Sequence, residues 1–259
     1  MRGTAATTTV LSALELDVLW EAERLPRRHV AFDVPSPGTT HTERAALVAA
    51  ALDGLQARGL VSRGRAVPEL VDALTLLAHP KVSVDGWVWT DRQIRSFAAA
   101  GAEQAVLAAV DNDEVWLIPA RPTALAEAAV SISGSAPAGP GRSVTLPTEL
   151  LLEADKAAGG NPQGMVTTLY QGGVLLADAQ ALASMLTGVT ARGQFGAERS
   201  TGRERRRQRA ERVVAFHDTE AGRYVYLARP SPDGRMWSTI GPADNARLSA
   251  CVWELLDEV

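Results

Sequence analysis

One stretch of the sequence occurs twice in similar form. Residues 103–122 read EQAVLAAVDNDEVWLIPARP and residues 211–230 read ERVVAFHDTEAGRYVYLARP, and the two align without a gap at an offset of 108, the difference between 211 and 103. Each copy is an apolar run, a turn-like centre, a second apolar run and then Ala-Arg-Pro. The pattern predicts a β-hairpin whose second strand ends at proline, because proline cannot donate to the ladder.

The same offset extends beyond the hairpins. It aligns residues 72–80, DALTLLAHP, with residues 180–188, QALASMLTG, and both segments are predicted helix ends. A period near 100 residues is too long for a solenoid repeat. In the first hairpin both faces of the leading strand are apolar, which is typical of a sheet covered on both sides. We therefore expect two related halves that share one sheet, with amphipathic helices covering it.

Several element boundaries carry local signals. Ser12–Glu15 and Thr40–Glu43 are capping boxes, which predict a first helix over about 12–24 and a second helix after Thr40. Pro68 starts a third helix that Pro80 stops. The alternating segment HVAFDV at 29–34 predicts a strand.

A segment dense in glycine, serine, alanine and proline divides the chain. Residues 133–142, SGSAPAGPGR, form the only clear linker candidate in the sequence. We place the boundary there, which gives an N-terminal half at 1–132 and a C-terminal half at 143–259. The order of predicted elements in each half is helices, then strands, then a helix.

The composition is that of an ordinary globular protein. The chain has 259 residues, 46% hydrophobic and 22% charged, and a net charge of −4 gives no overall attraction to nucleic acid. The single cysteine, Cys251, excludes an internal disulfide framework. Glu15 and Asp17 interrupt the apolar region that a signal peptide would need, and no apolar run reaches membrane-spanning length. We expect a cytoplasmic protein.

No catalytic constellation is recognisable. The sequence contains neither a phosphate-binding G-x-x-x-x-G-K-[ST] nor a G-x-S-x-G nucleophile motif. No two histidines are three or four residues apart, so no helix presents a metal-binding pair. The four are His29, His41, His79 and His217. We therefore predict no enzymatic activity, no metal and no cofactor.

Two other functions stay open on the residues alone. The first is an enzyme with a diffuse site that uses His217, Asp218 or Glu220. The second is a nucleic-acid-binding module that uses the arginine run at 203–209 to contact phosphates, although no aromatic residue is interleaved with it. The run contains Arg203, Arg205, Arg206, Arg207 and Arg209.

Tryptophans on the predicted strands indicate a third kind of site. Trp87, Trp89 and Trp116 belong to strands in a chain with few aromatic residues. They are core residues, or they lie on an open part of the sheet face that receives a partner's apolar side chains.

Four segments resemble, in their order along the chain, the segments of one protein family. TVLSALELDVLWE at 9–21 resembles the family's N-terminal signature, and TERAALVAAALDGLQARGLV at 42–61 is similar to its next helix. The hairpin segments at 105–122 and 213–230 resemble its paired sheet segments. The resemblance is to the EspG family, the cytosolic chaperones of ESX (type VII) secretion in actinobacteria, and it covers nearly the whole chain.

The resemblance implies an α+β fold with two quasi-twofold-related halves around a central, mainly antiparallel sheet flanked by helical bundles. It implies a chaperone that binds the hydrophobic tip of PE–PPE-like helical substrates. The residues themselves do not favour nucleic acid as a partner, and they leave a homodimer open. The family's groove lies between the sheet and the C-terminal helical bundle. Carried over to this chain, the groove predicts partner contacts at Trp87, Trp89, Leu175, Leu176, Leu182 and Met185.

Overall fold

A mainly antiparallel sheet of eleven strands dominates the computed structural model, which describes residues 7–201 and 206–259. Helices pack on the sheet, so the predicted α+β class is confirmed. The described residues belong to two compact units. The first lies within Met1–Trp87, Gln93–Ile132 and Glu198–Gln208, and the second within Val88–Arg92, Ser133–Ala197 and Arg209–Val259.

The elements of the first unit alternate between short edge strands, helices and a meander. Its helices are α1 (Ala13–Ala22), α2 (His41–Ala57), α3 (Pro68–Ala78) and α4 (Leu125–Val130). Its strands are β1 (Thr9–Ser12), β2 (Val61–Ser62), β3 (Arg65–Ala66), all of β4 (Val82–Trp89) up to Trp87, β5 (Gln93–Ala100), β6 (Ala105–Asp111) and β7 (Glu114–Ala120). Neighbouring strands of the main sheet follow the order β1–β7–β6–β5–β4, and β2 pairs with β3 separately.

Both predicted capping boxes are present. The Ser12 hydroxyl accepts a hydrogen bond from the Glu15 N–H at 3.1 Å, and the Glu15 carboxylate accepts one from the Ser12 N–H at 2.8 Å. Thr40 and Glu43 make the same exchange at 3.2 and 3.1 Å. Each exchange satisfies two helix-start donors. Pro68 is the first residue of α3, as its fixed φ favours.

The strand predicted at 29–34 is wrong. Residues Val30–Phe32 form a short 3₁₀ turn, capped by the His29 ring, whose Nδ1 accepts the Ala31 N–H at 3.2 Å. Ala31 and Phe32 are fully buried. Alternation over so few residues does not separate a strand from a turn that buries two adjacent side chains.

The first copy of the repeated stretch is a hairpin of β6 and β7. Asp111 pairs with Glu114 at its tip, and Asn112 has a φ of +52°, the left-handed conformation that tight hairpin turns require. All side chains from Ala105 to Val110 are buried, as the two apolar faces predicted. Both α3 and α4 pack against β6 and bury it.

The second unit has a helical bundle followed by its own hairpin. Its helices are α5 (Thr148–Ala158), α6 (Pro162–Gln171), α7 (Leu176–Met185) and α8 (Asn245–Leu256). The remaining strands are β8 (Val144–Pro147), β9 (Val189–Thr201), β10 (Arg206–Arg209), β11 (Val214–Thr219), β12 (Gly222–Pro230) and β13 (Met236–Pro242). The strand order is β9–β11–β12–β13–β8, and β10 pairs with β9. The second predicted hairpin is therefore confirmed as β11 and β12.

Residues 133–140, part of the segment interpreted as a linker, are held against the second hairpin, and we call them the strap. The Pro137 carbonyl accepts the Arg223 N–H at 2.8 Å, and the Gly139 N–H donates to the Arg223 carbonyl at 3.0 Å. The Tyr224 hydroxyl donates to the Pro140 carbonyl at 3.2 Å. Backbone hydrogen bonds thus make this glycine- and proline-rich stretch part of the fold.

Among the described residues, no helix combines the length and the apolar character that crossing a bilayer requires.

Candidate partner-binding surface

The bundle of the second unit turns sharply between α6 and α7. Asn161 caps α6 by accepting the Gln163 N–H at 3.0 Å. The helix ends at a Gly172-Gly173 pair, where Gly173 has a φ of +91° and the Val174 N–H returns to the Leu169 carbonyl at 3.0 Å. Glycine adopts this conformation without a Cβ penalty. The sequence thus produces a tight corner between two packed helices.

Apolar side chains stand out into solvent at this corner. Tyr170 is 60% exposed, Leu175 is 70% exposed and Leu176 is 48% exposed. We call these three residues the α6–α7 corner. A single exposed leucine needs no explanation, but three large apolar side chains within seven residues indicate an interaction site.

The surface around the corner is almost free of charge. Residues 157–191 contain one charged residue, Asp178, in a chain of which 22% is charged. Arg142 binds that carboxylate, with Nε at 3.0 Å from Oδ1. The outward positions of α6 and α7 include Thr167, Gln180 and Ser184. Depletion of charge is the compositional mark of interface cores. The uncharged run is readable from the residues, although it is not among the predicted features above.

The neighbouring helix α5 has the opposite surface. Its exposed Leu152 (61%) is surrounded on the same helix face by Glu149, Glu153 and Lys156. These residues recur at i, i+3, i+4 and i+7, the spacing of one helix face. A charged surround is typical of a solvated face, so Leu152 is an isolated exposed leucine.

The four bundle residues predicted as contacts separate into two kinds. Leu175 and Leu176 are exposed, whereas Leu182 and Met185 are buried in the core of the second unit. Leu182 and Met185 hold α7 against the sheet, so their side chains are not available on the surface. Helical periodicity explains the difference, since residues 182 and 185 lie on the inward stripe of α7.

The two predicted tryptophans are half-buried. Trp87 packs against the core of the first unit. The Trp89 ring has the Arg192 guanidinium 5.8 Å from its centroid, a cation–π distance. Each indole therefore has both core and surface character, and their role as partner contacts stays a prediction.

No hydrolytic constellation forms around His217. Its Nε2 is 2.8 Å from the Met185 carbonyl, and its ring stacks on Tyr224 with centroids 5.4 Å apart. Burial lowers the pKa of His217 below its ordinary value, partly offset by the Met185 carbonyl. Asp218 is bound by Arg223, and Glu220 lies at the exposed hairpin tip. These contacts hold the hairpin together and leave no nucleophile–base pair among the three residues.

The arginine run is only partly described. Arg203 and Arg205 lie outside the described residues, and so does the side chain of Arg206. Arg206–Arg209 form strand β10. The Arg207 guanidinium lies 3.9 Å from the Glu198 carboxylate, and both Arg207 and Arg209 are exposed. No described contact in the run indicates a phosphate site.

The N-terminal signature has a structural explanation. Asp17 is buried and receives Arg28 at 3.0 Å and Arg44 at 2.8 Å, and the Trp20 indole N–H donates to the Pro26 carbonyl at 2.6 Å. These contacts fix α1 to the loop that follows it and to α2. The signature therefore serves the fold of the first unit.

Known proteins share this architecture. A model of the EspG family matches residues 12–254. The chain is also similar to a solved structure of the Mycobacterium tuberculosis type VII secretion system chaperone EspG5 in complex with a PE25–PPE41 dimer, with a TM-score of 0.77 and 15% identity. The similarity covers 98% of this chain and 97% of that chain, and at this identity it establishes the fold. No curated protein sequence matches the chain.

Proposed function

Because the chain belongs to the EspG family, we propose that it is a cytoplasmic, non-catalytic chaperone of type VII secretion. Its substrates are PE–PPE-like helical pairs, and it covers the hydrophobic tip of the pair so that the pair stays soluble until export. The EspG5 structure that shares this fold holds a PE25–PPE41 dimer. That observation supports the substrate class.

The α6–α7 corner carries the proposal. An apolar helical tip needs a partner surface that is apolar and uncharged, because an unpaired charge would lose its hydration on contact. Tyr170, Leu175 and Leu176 supply that surface, and burying each side chain recovers roughly 1.5–3 kcal/mol. Association itself costs about 4–15 kcal/mol. Three such side chains recover no more than roughly this cost, so the corner supplies only part of a modest affinity, which suits release before export.

Half-buried Trp87 and Trp89 are the proposed contacts on the sheet. Indole rings supply a large area at low entropic cost and are enriched among residues that dominate binding energy. Leu182 and Met185 take an indirect part, since they seat α7 and so fix the position of Leu176.

Co-expression tests the function. The chain is produced with a PE–PPE-like pair encoded beside its gene, and the pair is assayed for solubility and for co-purification. We expect a soluble ternary complex with the chain and aggregation of the pair without it. An insoluble pair that never co-purifies with the chain would contradict the chaperone function.

Matched substitutions test the surface. Leu175→Glu with Leu176→Glu introduces two charges at the corner and should abolish co-purification, because the charges would be desolvated against an apolar tip. Leu152→Glu is the control, since Leu152 is comparably exposed (61%) on the charged face of α5. Circular dichroism checks that both variants fold. Equal loss with both variants, or with neither, would place the binding surface elsewhere.

A further inference from the structure

Three side chains that ligate metals converge in the first unit. The ring of His29, the carboxylate of Asp85 and the carboxylate of Glu198 each bring one donor atom to within 4.8 Å of the other two. They come from different parts of the chain: the cap of the 3₁₀ turn, strand β4 and strand β9. Sequence spacing gives no sign of the cluster, because its members are more than 50 residues apart along the chain.

The cluster is shielded and its imidazole is held in place. Asp85 is buried, and the side chains of His29 and Glu198 are mostly buried. The His29 ring stacks on Phe97 with centroids 4.5 Å apart, which fixes the plane of the ring. Its Nε2 lies 3.7 Å from a Glu198 carboxylate oxygen. Tetrahedral zinc sets its ligand atoms about 3.3 Å apart, so this pair is already near the required separation.

We propose that His29, Asp85 and Glu198 bind a divalent transition-metal ion, with Zn²⁺ the best match. One nitrogen and two carboxylate oxygens are ligands that Zn²⁺ accepts at about 2.0–2.2 Å. The imidazole favours Zn²⁺ over Mg²⁺ and Ca²⁺, which select all-oxygen sites. The two carboxylates balance the charge of the ion. Three protein ligands leave a fourth position for water.

An open cavity borders the cluster at one of its members, His29. His29 and Arg207 both line this cavity, which has a volume of about 430 Å³ and also borders Arg28 and Asp33. Arg207 lies 3.9 Å from Glu198 and is partly exposed, so it is able to move aside when a cation takes its place. Access from solvent is a requirement for any exchangeable metal site.

Metal binding changes the tautomer of His29. Without metal, Nδ1 accepts the Ala31 N–H at 3.2 Å, which leaves the ring proton on Nε2. An ion on Nε2 requires the proton on Nδ1, so the Ala31 hydrogen bond is given up. The exchange supplies a spectroscopic signature: the Ala31 amide resonance and the ring nitrogens shift when metal binds.

Titration of the tag-free chain with Zn²⁺ tests the site. Isothermal titration calorimetry should show one saturable site, and nitrogen NMR should show the change of the His29 tautomer. Glu198→Gln removes a charged ligand at constant size. His29→Asn removes Nε2 while the shorter amide oxygen still accepts the Ala31 N–H. Each variant should weaken Zn²⁺ binding by about tenfold or more.

The controls separate this site from surface binding. Glu103→Gln and His41→Gln change exposed residues of the same types and should leave Zn²⁺ affinity unchanged. Mg²⁺ should not compete. The proposal is overturned if Zn²⁺ shows no saturable binding up to millimolar concentration, or if the ligand variants bind it as the native chain does. Either result would mean that the three side chains serve the packing of the first unit and hold no metal ion.

Discussion

The two hairpins differ most at a pair of positions that their sequences align. Val110 and Val115 face each other across the first hairpin, and an offset of 108 aligns them with Asp218 and Arg223, which face each other across the second. Val115 and Arg223 are both fully buried. The same position of the same motif is therefore apolar in one copy and ionic in the other.

Contacts of Arg223 explain how a buried charge is accommodated. Its guanidinium binds Asp218 through two nitrogens at 2.7 and 2.9 Å, and donates to Ser133 and to Asn245 at 2.7–2.8 Å. All five N–H donors have acceptors, and the ring of Phe216 lies 4.6 Å from the guanidinium carbon. Arg223 of the second hairpin thus holds the strap in place. The valine pair of the first hairpin has no side-chain donor with which to do the same.

Replacing Arg223 should have the largest effect. Arg223→Ala leaves the partly buried Asp218 carboxylate without its partner and frees the strap, so the free energy of unfolding should fall by about 3 kcal/mol. Urea denaturation followed by tryptophan fluorescence measures the change. A loss below about 1 kcal/mol would show that the ion pair contributes little.

The double variant asks whether the hairpins are interchangeable. Asp218→Val with Arg223→Val copies the first hairpin, and it should recover part of the lost stability because no charge is left buried. Recovery should be incomplete, since Ser133 and Asn245 lose the donor that they share. A double variant as unstable as Arg223→Ala would contradict this account of the cost.

Because the strap is closely packed, a substitution at Gly139 should lower the stability by a smaller amount. A Cβ on Gly139 would lie 2.2 Å from the buried Tyr224 ring, so Gly139→Ala should cost about 1–3 kcal/mol. Gly54→Ala is the matched control, because Gly54 lies in α2 with only a Glu15 oxygen at 3.5 Å. That control should gain up to about 1 kcal/mol from helix propensity. Denaturation midpoints compare the two, and equal effects would mean that the strap is loosely held.

His217 should make the second hairpin sensitive to acid. It aligns with Ala109 of the first copy, and its pKa is lowered in the fold by burial. The unfolded chain therefore binds the proton more readily, so the stability contributed by neutral His217 is present above about pH 6.5 and is lost as pH falls below it. Between pH 7.5 and 5.0 the native chain should lose at most about 2 kcal/mol more than His217→Gln. An equal loss in both proteins would contradict the assignment.

The smallest change in stability is expected for a substitution in β5, the strand that pairs with β6 of the first hairpin. The buried hydroxyl of Ser96 has no hydrogen-bond partner among the described residues, and Ser96 pairs with Ala109. Ser96→Ala should raise the free energy of unfolding by about 1 kcal/mol, because the desolvation cost of the hydroxyl disappears. Thermal unfolding measures the change, and a lower melting temperature would reveal a hydrogen bond to water.

Local signals predicted the elements well. Capping boxes at Ser12 and Thr40, Pro68 at a helix start and the duplicated hairpin all specify backbone geometry within a few residues, and each is confirmed. The segment at 29–34 failed because its burial is decided by packing on Phe97, which lies far away in sequence.

Contacts between distant residues could not be predicted. The alignment of Val115 with Arg223 does not indicate that Arg223 binds the strap. Its hydrogen bonds to Ser133 and Asn245 depend on the folded path of the chain. At the candidate surface, apolar character alone suggested Leu182 and Met185 as well as Leu175 and Leu176. The inward stripe of α7 separates the two pairs, and the uncharged run at 157–191 is the sequence signal that was available.

Hydrogen exchange on the purified complex tests whether the α6–α7 corner is the surface that binds the partner. The chain is compared alone and bound to a PE–PPE-like pair, with α5 as the internal reference. We predict that amides of residues 170–177 become slower to exchange on binding, while those around Leu152 on α5 do not change. Unaltered exchange at the α6–α7 corner, with protection elsewhere in the described residues, would contradict the account.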